Sequence, residues 1–181
     1  MIIAISGSPG TGKSKAAEIL AKELNANLID IKQLIEKHKV PCKPDRKRKT
    51  KIVDPRDLQK AVNREARKGT NIVDGVLAHL LKADFVIILR TRPDILEKRL
   101  KKRGWRREKI RENIEAEVLD EITIEAMDKY RKVYEIDTTN RTAKATARMI
   151  TKLLNRYALN YRRKYRAGHI DWSERYKHYL W

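Results

Sequence analysis

The chain has 181 residues, 41% hydrophobic and 37% charged, with 43 Lys and Arg against 24 Asp and Glu and a formal net charge of +19. That length suits one domain with small lobes, and the apolar share is enough for a buried core. No apolar run is long enough to cross a membrane, and the single cysteine, Cys42, excludes an internal disulfide framework or a multi-cysteine zinc site.

The elements follow in order. Ile2–Ser6 is a short apolar run rich in β-branched residues and reads as a buried strand. Residues 13–24 carry Ala16, Ala17, Ile19, Leu20, Ala21 and Leu24 at helical spacing. Residues 27–31 form a second strand and 32–39 a helix, which Pro41 and Pro44 interrupt. The stretch from Asp45 to Lys51 is too charged to pack and reads as loop. Asp54 caps a helix that opens on Pro55 and runs to Lys68 before Gly69. Residues 71–74 and 84–90 are strands that are apolar along their length, as strands covered on both faces must be. A helix opens at Pro93, a long helical region spans 107–132, residues 133–138 form a fifth strand, and a last helix runs from Thr142 to Tyr161. This alternation predicts an α/β fold: a five-stranded parallel sheet with helices on both faces, and ligands beyond the carboxyl ends of the strands.

The charge is clustered. Residues 1–31 are balanced, but 32–60 carry 11 basic against 4 acidic residues, 90–111 carry 11 against 3, and 155–181 carry 7 against 2. Such blocks attract polyanions, or else form solvated basic faces. The chain opens on MIIAISG rather than on a signal-peptide pattern, so a cytoplasmic location is expected.

The most specific motif is Gly7-Ser8-Pro9-Gly10-Thr11-Gly12-Lys13-Ser14, which matches the phosphate-binding loop pattern G-x-x-x-x-G-K-[ST] after a strand and before a helix. Glycines let the backbone wrap a phosphate so that successive N–H groups point inward, and the helix N-terminus adds a favourable dipole. Lys13 reaches the terminal phosphates of ATP, and Ser14 can ligate Mg²⁺. An acidic residue is needed near the metal, and Asp74 closes its strand at the right kind of position; a helix cap is the plainer reading of it. Asp30 and Asp137, also near strand ends, read as caps or lobe residues.

The residues together resemble the nucleoside monophosphate kinases. The loop, Val73-Asp74, Ile88-Leu89-Arg90-Thr91, and Glu97-Lys98-Arg99-Leu100 followed by Arg103-Gly104-Trp105 carry the likeness. The run from Lys109 to Glu117, KIRENIEAE, is more specific. It resembles the signature of the adenylate-kinase-like family that includes human nuclear adenylate kinase isoenzyme 6 and its archaeal relatives. The resemblance covers residues 1–155 and implies a three-layer P-loop NTPase fold. It also implies a monophosphate-binding lobe over about 30–53 and a short lid over about 102–112, with residues 156–181 as a basic aromatic tail. It places ATP on Gly10, Gly12, Lys13, Ser14, Lys15 and Arg103, Mg²⁺ on Ser14 and Asp74, and catalysis on Lys13, Asp74 and Arg103. The implied reaction is phosphoryl transfer from Mg-ATP to AMP or another nucleoside monophosphate, with an ATPase side activity. The implied setting is maturation of the small ribosomal subunit and its 16S rRNA, through ribosomal protein uS11 and possible contact with pre-ribosomal RNA. A monomer is expected.

The chain departs from the family in two places. The family's Asp-x-His after the third strand is Asp74-Gly75-Val76 here, so a weaker ATPase is expected. His79 is not equivalent by spacing and reads as a helix-face histidine. The basic run Lys43–Lys51 stands where a more acidic, tyrosine-rich segment is expected, which leaves the grip on the acceptor phosphate open.

Arg99 and Arg103, four apart, are expected to share a helix face toward the cleft. Thr138, Thr139 and Asn140 follow the last strand, where an adenine-side loop would lie. In the tail, Tyr157, Tyr161, Tyr165, Trp172, Tyr176, Tyr179 and Trp181 alternate with cations. They either pack back on the core, contact RNA or protein, or stay disordered. Two functions stay open: a nucleotide kinase, and a ribosome-assembly ATPase switch with incidental kinase activity; a third, another P-loop small-molecule kinase acting for example on a sugar or a coenzyme precursor, is disfavoured by KIRENIEAE.

Overall fold

The computed structural model describes residues 1–45, 50–155 and 157–180. Five parallel strands form the central sheet: β1 (Ile2–Ser6), β2 (Asn27–Asp30), β5 (Asn71–Asp74), β6 (Phe85–Arg90) and β7 (Val133–Asp137), in the order β2-β5-β1-β6-β7. Strand β1 is central, so the loop that follows it emerges at the carboxyl edge of the sheet, where the direction of strand addition reverses and ligands bind. The register sets Ile5 beside Asp74 and Ser6 beside Ile88.

Alternation along the strands builds two cores. Ala4, Val73, Val86 and Ile88 face helices α2 (Ile31–Lys37), α3 (Pro55–Glu65) and α6 (Glu121–Lys129). Ile3, Ile5, Ile72, Ile87 and Leu89 face α1 (Lys13–Glu23) and α7 (Ala143–Leu154). The expected three layers are therefore present. A third cluster joins α4 (Pro93–Lys102) to α5 (Arg107–Val118) through Leu96, Leu100, Ile110, Ile114 and Val118.

Three segments differ from the sequence reading. The charged stretch after Pro41 is not simply loop. Its flanks pair as an antiparallel hairpin, β3 (Cys42–Asp45) with β4 (Thr50–Val53); residues 46–49 lie outside the described residues. Pro44 is tolerated because each strand of a two-stranded hairpin has a free edge. The helix expected over 107–132 is broken between α5 and α6, where Asp120 adopts φ 56° and bonds Arg90. An aspartate tolerates the left-handed region better than most residues, and the ion pair fixes it there. The last helix stops at Leu154. The Arg162 guanidinium caps its end, with Nε donating to the Leu153 carbonyl at 2.7 Å, and a separate helix α8 (Leu159–Lys164) turns back.

The tail then runs along the exposed edge of the sheet. Glu135 N–H donates to the Tyr165 carbonyl at 2.8 Å and Ala167 N–H to the Val133 carbonyl at 2.9 Å, which covers the free side of β7. Beyond it, α9 (Ser173–Tyr176) places Trp172, Tyr176 and Tyr179 on the α4–α5 cluster; Trp181 lies outside the described residues. Among the described residues no helix is long and apolar enough to cross a membrane.

Candidate active site

The loop after β1 wraps at the start of α1. Gly10 and Gly12 have φ of 98° and 90°, a region that side chains disfavour, and a Cβ on Gly10 would lie 2.8 Å from Leu96 Cδ1. Gly12 is the N-cap of α1 and supplies no capping side chain, and the first turn holds no acidic residue. The N–H groups at the start of the helix are left for an anion.

Lys13 lies beneath this loop, 7% exposed, with Nζ donating to the Ser8 carbonyl at 3.0 Å. Burial pulls its ammonium down to about 8, against the favourable charges of Asp74 and Glu117, and nearby Arg103 pushes the same way as burial. Asp74 is 3% exposed and its Oδ1 has no hydrogen-bond partner. Burial raises its carboxyl; the Ser14 hydrogen bond and the Lys13 charge oppose that rise. A buried orphan oxygen beside a serine hydroxyl is the kind of all-oxygen donor pair that suits Mg²⁺, which keeps most of its waters. Among the described residues no cluster of three or more His, Cys, Asp or Glu offers a metal cage.

A cavity of about 650 Å³ opens in front of the loop, and Gly10, Gly12, Lys13, Ser14, Lys15, Asp74 and Arg103 all line it. Every residue expected at the site is thus brought to one cleft. Asp30 and Ile31, Lys32 and Ile35 of α2 also line it, as do Trp105 of the α4–α5 turn and Lys109 and Asn113 of α5. Asp30 also caps α2 by accepting from Gln33 N–H at 2.9 Å, as its position suggested.

One expectation is corrected. Arg99 does not share the open cleft with Arg103. Its guanidinium is spent on carbonyls, donating to Gly10 O at 3.1 Å, Thr138 O at 3.2 Å and Thr139 O at 3.0 Å. With Thr138 Oγ1 donating to Thr11 O at 2.8 Å, it clamps the phosphate loop to the loop after β7. His79 lies in a helical turn, Ala78–Leu80, as expected, and is 1% exposed, with Nδ1 2.9 Å from Ser6 Oγ and Nε2 2.8 Å from Glu125. It does not line the cleft, so it does not replace the imidazole missing at Val76.

Sequence reasoning missed the support behind the loop. Ser8 Oγ donates to Glu117 Oε2 at 2.6 Å, while Glu117 Oε1 accepts from Arg90 Nε at 2.8 Å and Thr91 N–H at 3.0 Å. Arg90 also donates to Glu135 at 2.8 Å and to Asp120. Burial works against the Arg90 charge, but Glu117, Asp120 and Glu135 outweigh it and raise its pKa. The only sequence signal was an arginine ending an apolar strand, which is too costly to bury without carboxylates.

Known proteins match this geometry. The sequence profile of the AAA domain family covers residues 3–120. A protein of Methanocaldococcus jannaschii named "Putative adenylate kinase" is 38% identical over 99% of this chain and 97% of its own. A Pyrococcus furiosus protein of the same name is 40% identical over 98% and 94%. In fold, the chain is similar to shikimate kinase from Acinetobacter baumannii, with a TM-score of 0.61 at 17% identity over 87% of this chain and 94% of that one. The chain belongs to the adenylate-kinase-like family of P-loop proteins that these archaeal relatives represent.

Proposed function

We propose that the chain transfers the γ-phosphoryl group of Mg-ATP to AMP or a related nucleoside monophosphate. One observation carries the reading. The phosphate loop opens on a cavity of about 650 Å³ that Asp30, Ile31, Lys32, Ile35 and Arg103 also line, which leaves room for an acceptor beside the donor phosphates. The names of the archaeal relatives point the same way.

In this reading the amides at the start of α1 hold the β- and γ-phosphates, and Lys13 leaves the Ser8 carbonyl to bond them. Ser14 and Asp74 would hold Mg²⁺, which neutralises charge on the β- and γ-oxygens when bound. Arg103, exposed at the end of α4, compensates charge that grows on the transferring group. Lys32 and Lys109, which line the cavity, would receive the acceptor phosphate, with Ile31, Ile35 and Leu77 beside it. The lobe over about 30–53 and the lid over about 102–112 would close on the two substrates and exclude water.

ATP hydrolysis and a role in small-subunit assembly with uS11 and rRNA are the finer part of the proposal. Arg163, Lys164, Arg166, Arg175 and Lys177 are exposed along the tail, which supports contact with phosphates. Base stacking gets little support, since Tyr161, Tyr165, Trp172, Tyr176 and Tyr179 pack on the protein. Val76 offers no group to activate water, so hydrolysis should be slow beside transfer to AMP. The test is ADP formation from ATP with a panel of monophosphates, beside phosphate release with and without uS11 and rRNA. ADP that forms only when a monophosphate is present supports the kinase. Phosphate release that needs no monophosphate and rises with uS11 or rRNA favours the assembly ATPase.

A further inference from the structure

Glu117 does more than neutralise Arg90. It is 2% exposed, and its neighbour Glu135 is fully buried. Together with Asp120 they set three carboxylates on one guanidinium, Arg90. One carboxylate balances the charge of one arginine, so the cluster carries more negative charge than Arg90 alone offsets, although its five donors need several acceptors. The surplus on Glu117 is spent elsewhere: its second oxygen takes the Ser8 hydroxyl at 2.6 Å, 109 residues away in the chain. Ser8 is an unrestricted position of the phosphate-loop pattern, so nothing in phosphate binding requires a hydroxyl there. Its carbonyl also anchors the loop from inside, accepting from Lys13 Nζ at 3.0 Å and Thr11 Oγ1 at 2.9 Å.

The spacing on α5 supplies the other half. Lys109, Asn113 and Glu117 are four apart and fall on one stripe of the helix. Asn113 Nδ2 donates to the Lys109 carbonyl at 2.6 Å and locks the upper part of that stripe. Lys109 and Asn113 line the cleft, and Glu117 lies about one turn further on, at the phosphate loop. The helix therefore has its root bonded to the donor side of the site and its other end over the acceptor side.

We infer that Glu117, through Ser8, is a positioning residue that ties α5 to the phosphate loop, so that a nucleotide seated on the loop orders Lys109 and Asn113 above the acceptor. This rests on the kinase reading for its catalytic consequence but not for its mechanical one. The tether links the two sides of the cleft without touching either substrate. A phosphate that draws Lys13 away from the Ser8 carbonyl alters the same residue whose hydroxyl holds α5.

Ser8→Ala tests the tether with the least disturbance, because the buried pair of Arg90 and Glu117 stays. The KM for ATP should stay within about threefold of the parent, while kcat with AMP falls about tenfold to a hundredfold, the scale of a misplaced reacting group. Lys109→Ala should cost much less in the Ser8→Ala background than in the parent, since both break one relay. Glu117→Gln should reproduce the kcat loss. Amide hydrogen exchange gives a readout that needs no turnover: ADP should slow exchange over 107–118 in the parent protein and leave it unchanged in Ser8→Ala. An unchanged kcat in Ser8→Ala, full additivity with Lys109→Ala, or equal protection of α5 in both proteins would overturn the tether. If the parent forms no ADP from AMP, the kinase reading falls, and the exchange result still decides on the tether.

Discussion

The two sides of the phosphate loop carry the same kinds of residue in opposite circumstances. Behind it, Arg90 is 2% exposed and bonded to Glu117, Asp120 and Glu135, so its charge is neutralised within the fold. In front of it, Arg103 is exposed, and among the described residues no carboxylate bonds it. Lys13 lies between, buried like the first and lacking a carboxylate salt bridge like the second. A composition count gives each of these cations the same weight. Pairing separates them: a paired buried cation holds the frame, and an unpaired one at a cleft is available to a ligand.

The contrast can be broken from either side. Lys13→Ala should lower phosphoryl transfer by about a thousandfold or more, with little change in melting temperature, since in the proposed reaction its ammonium bonds the phosphates. Substantial ATP turnover in that variant would contradict the site. Arg90→Ala should act on stability first, and on transfer only through the loosened Glu117. It leaves buried carboxylates unpaired and should cost about 3–5 kcal/mol of stability, read by urea unfolding. A near-neutral result would show that water reaches the cluster. Arg103→Ala should cost about a hundredfold in kcat and leave unfolding unchanged.

The pH dependence sharpens the position of Lys13. Its ammonium is held near 8 in the free protein, and an anionic ligand favours the charged form. Below that value the lysine is already protonated and ATP affinity should be flat. Above it, binding must take up a proton, so affinity should fall by up to about tenfold per pH unit. A flat profile from pH 7 to 9.5 would mean that Lys13 is not desolvated before the ligand arrives. The smallest effect belongs to the tail. Tyr176 donates to Asp94 at 3.1 Å, and Tyr176→Phe should cost about 1 kcal/mol with kcat unchanged.

Much of this was legible beforehand because it is local. The phosphate loop depends on glycines and a lysine at fixed offsets, the strands on short apolar runs, and the caps at Asp30 and Asp54 on one side chain beside its own helix. Those features gave the order of elements, the parallel sheet and the cleft that Gly12, Lys13, Ser14 and Asp74 line. The breaks were less legible. Nothing within a few residues of Asp120 ends a helix as Gly or Pro would; the end comes from Arg90, 30 residues earlier. Arg99 and Arg103 share spacing and type, yet one grips backbone carbonyls and the other lines a cavity.

The sequence by itself determined that a triphosphate could be cradled at the amino end, that a parallel sheet would present it, and that the chain would be strongly basic. Tertiary structure alone decided which cations are neutralised and which stay available, that the tail covers β7 and the α4–α5 cluster, and that Glu117 meets Ser8. The physical reason is range. Helix periodicity, turn chemistry and loop motifs are set by neighbours in the chain. The protonation and pairing of a buried charge are set by whatever the fold brings within about 3 Å, and for Ser8 and Glu117 that partner lies 109 residues away.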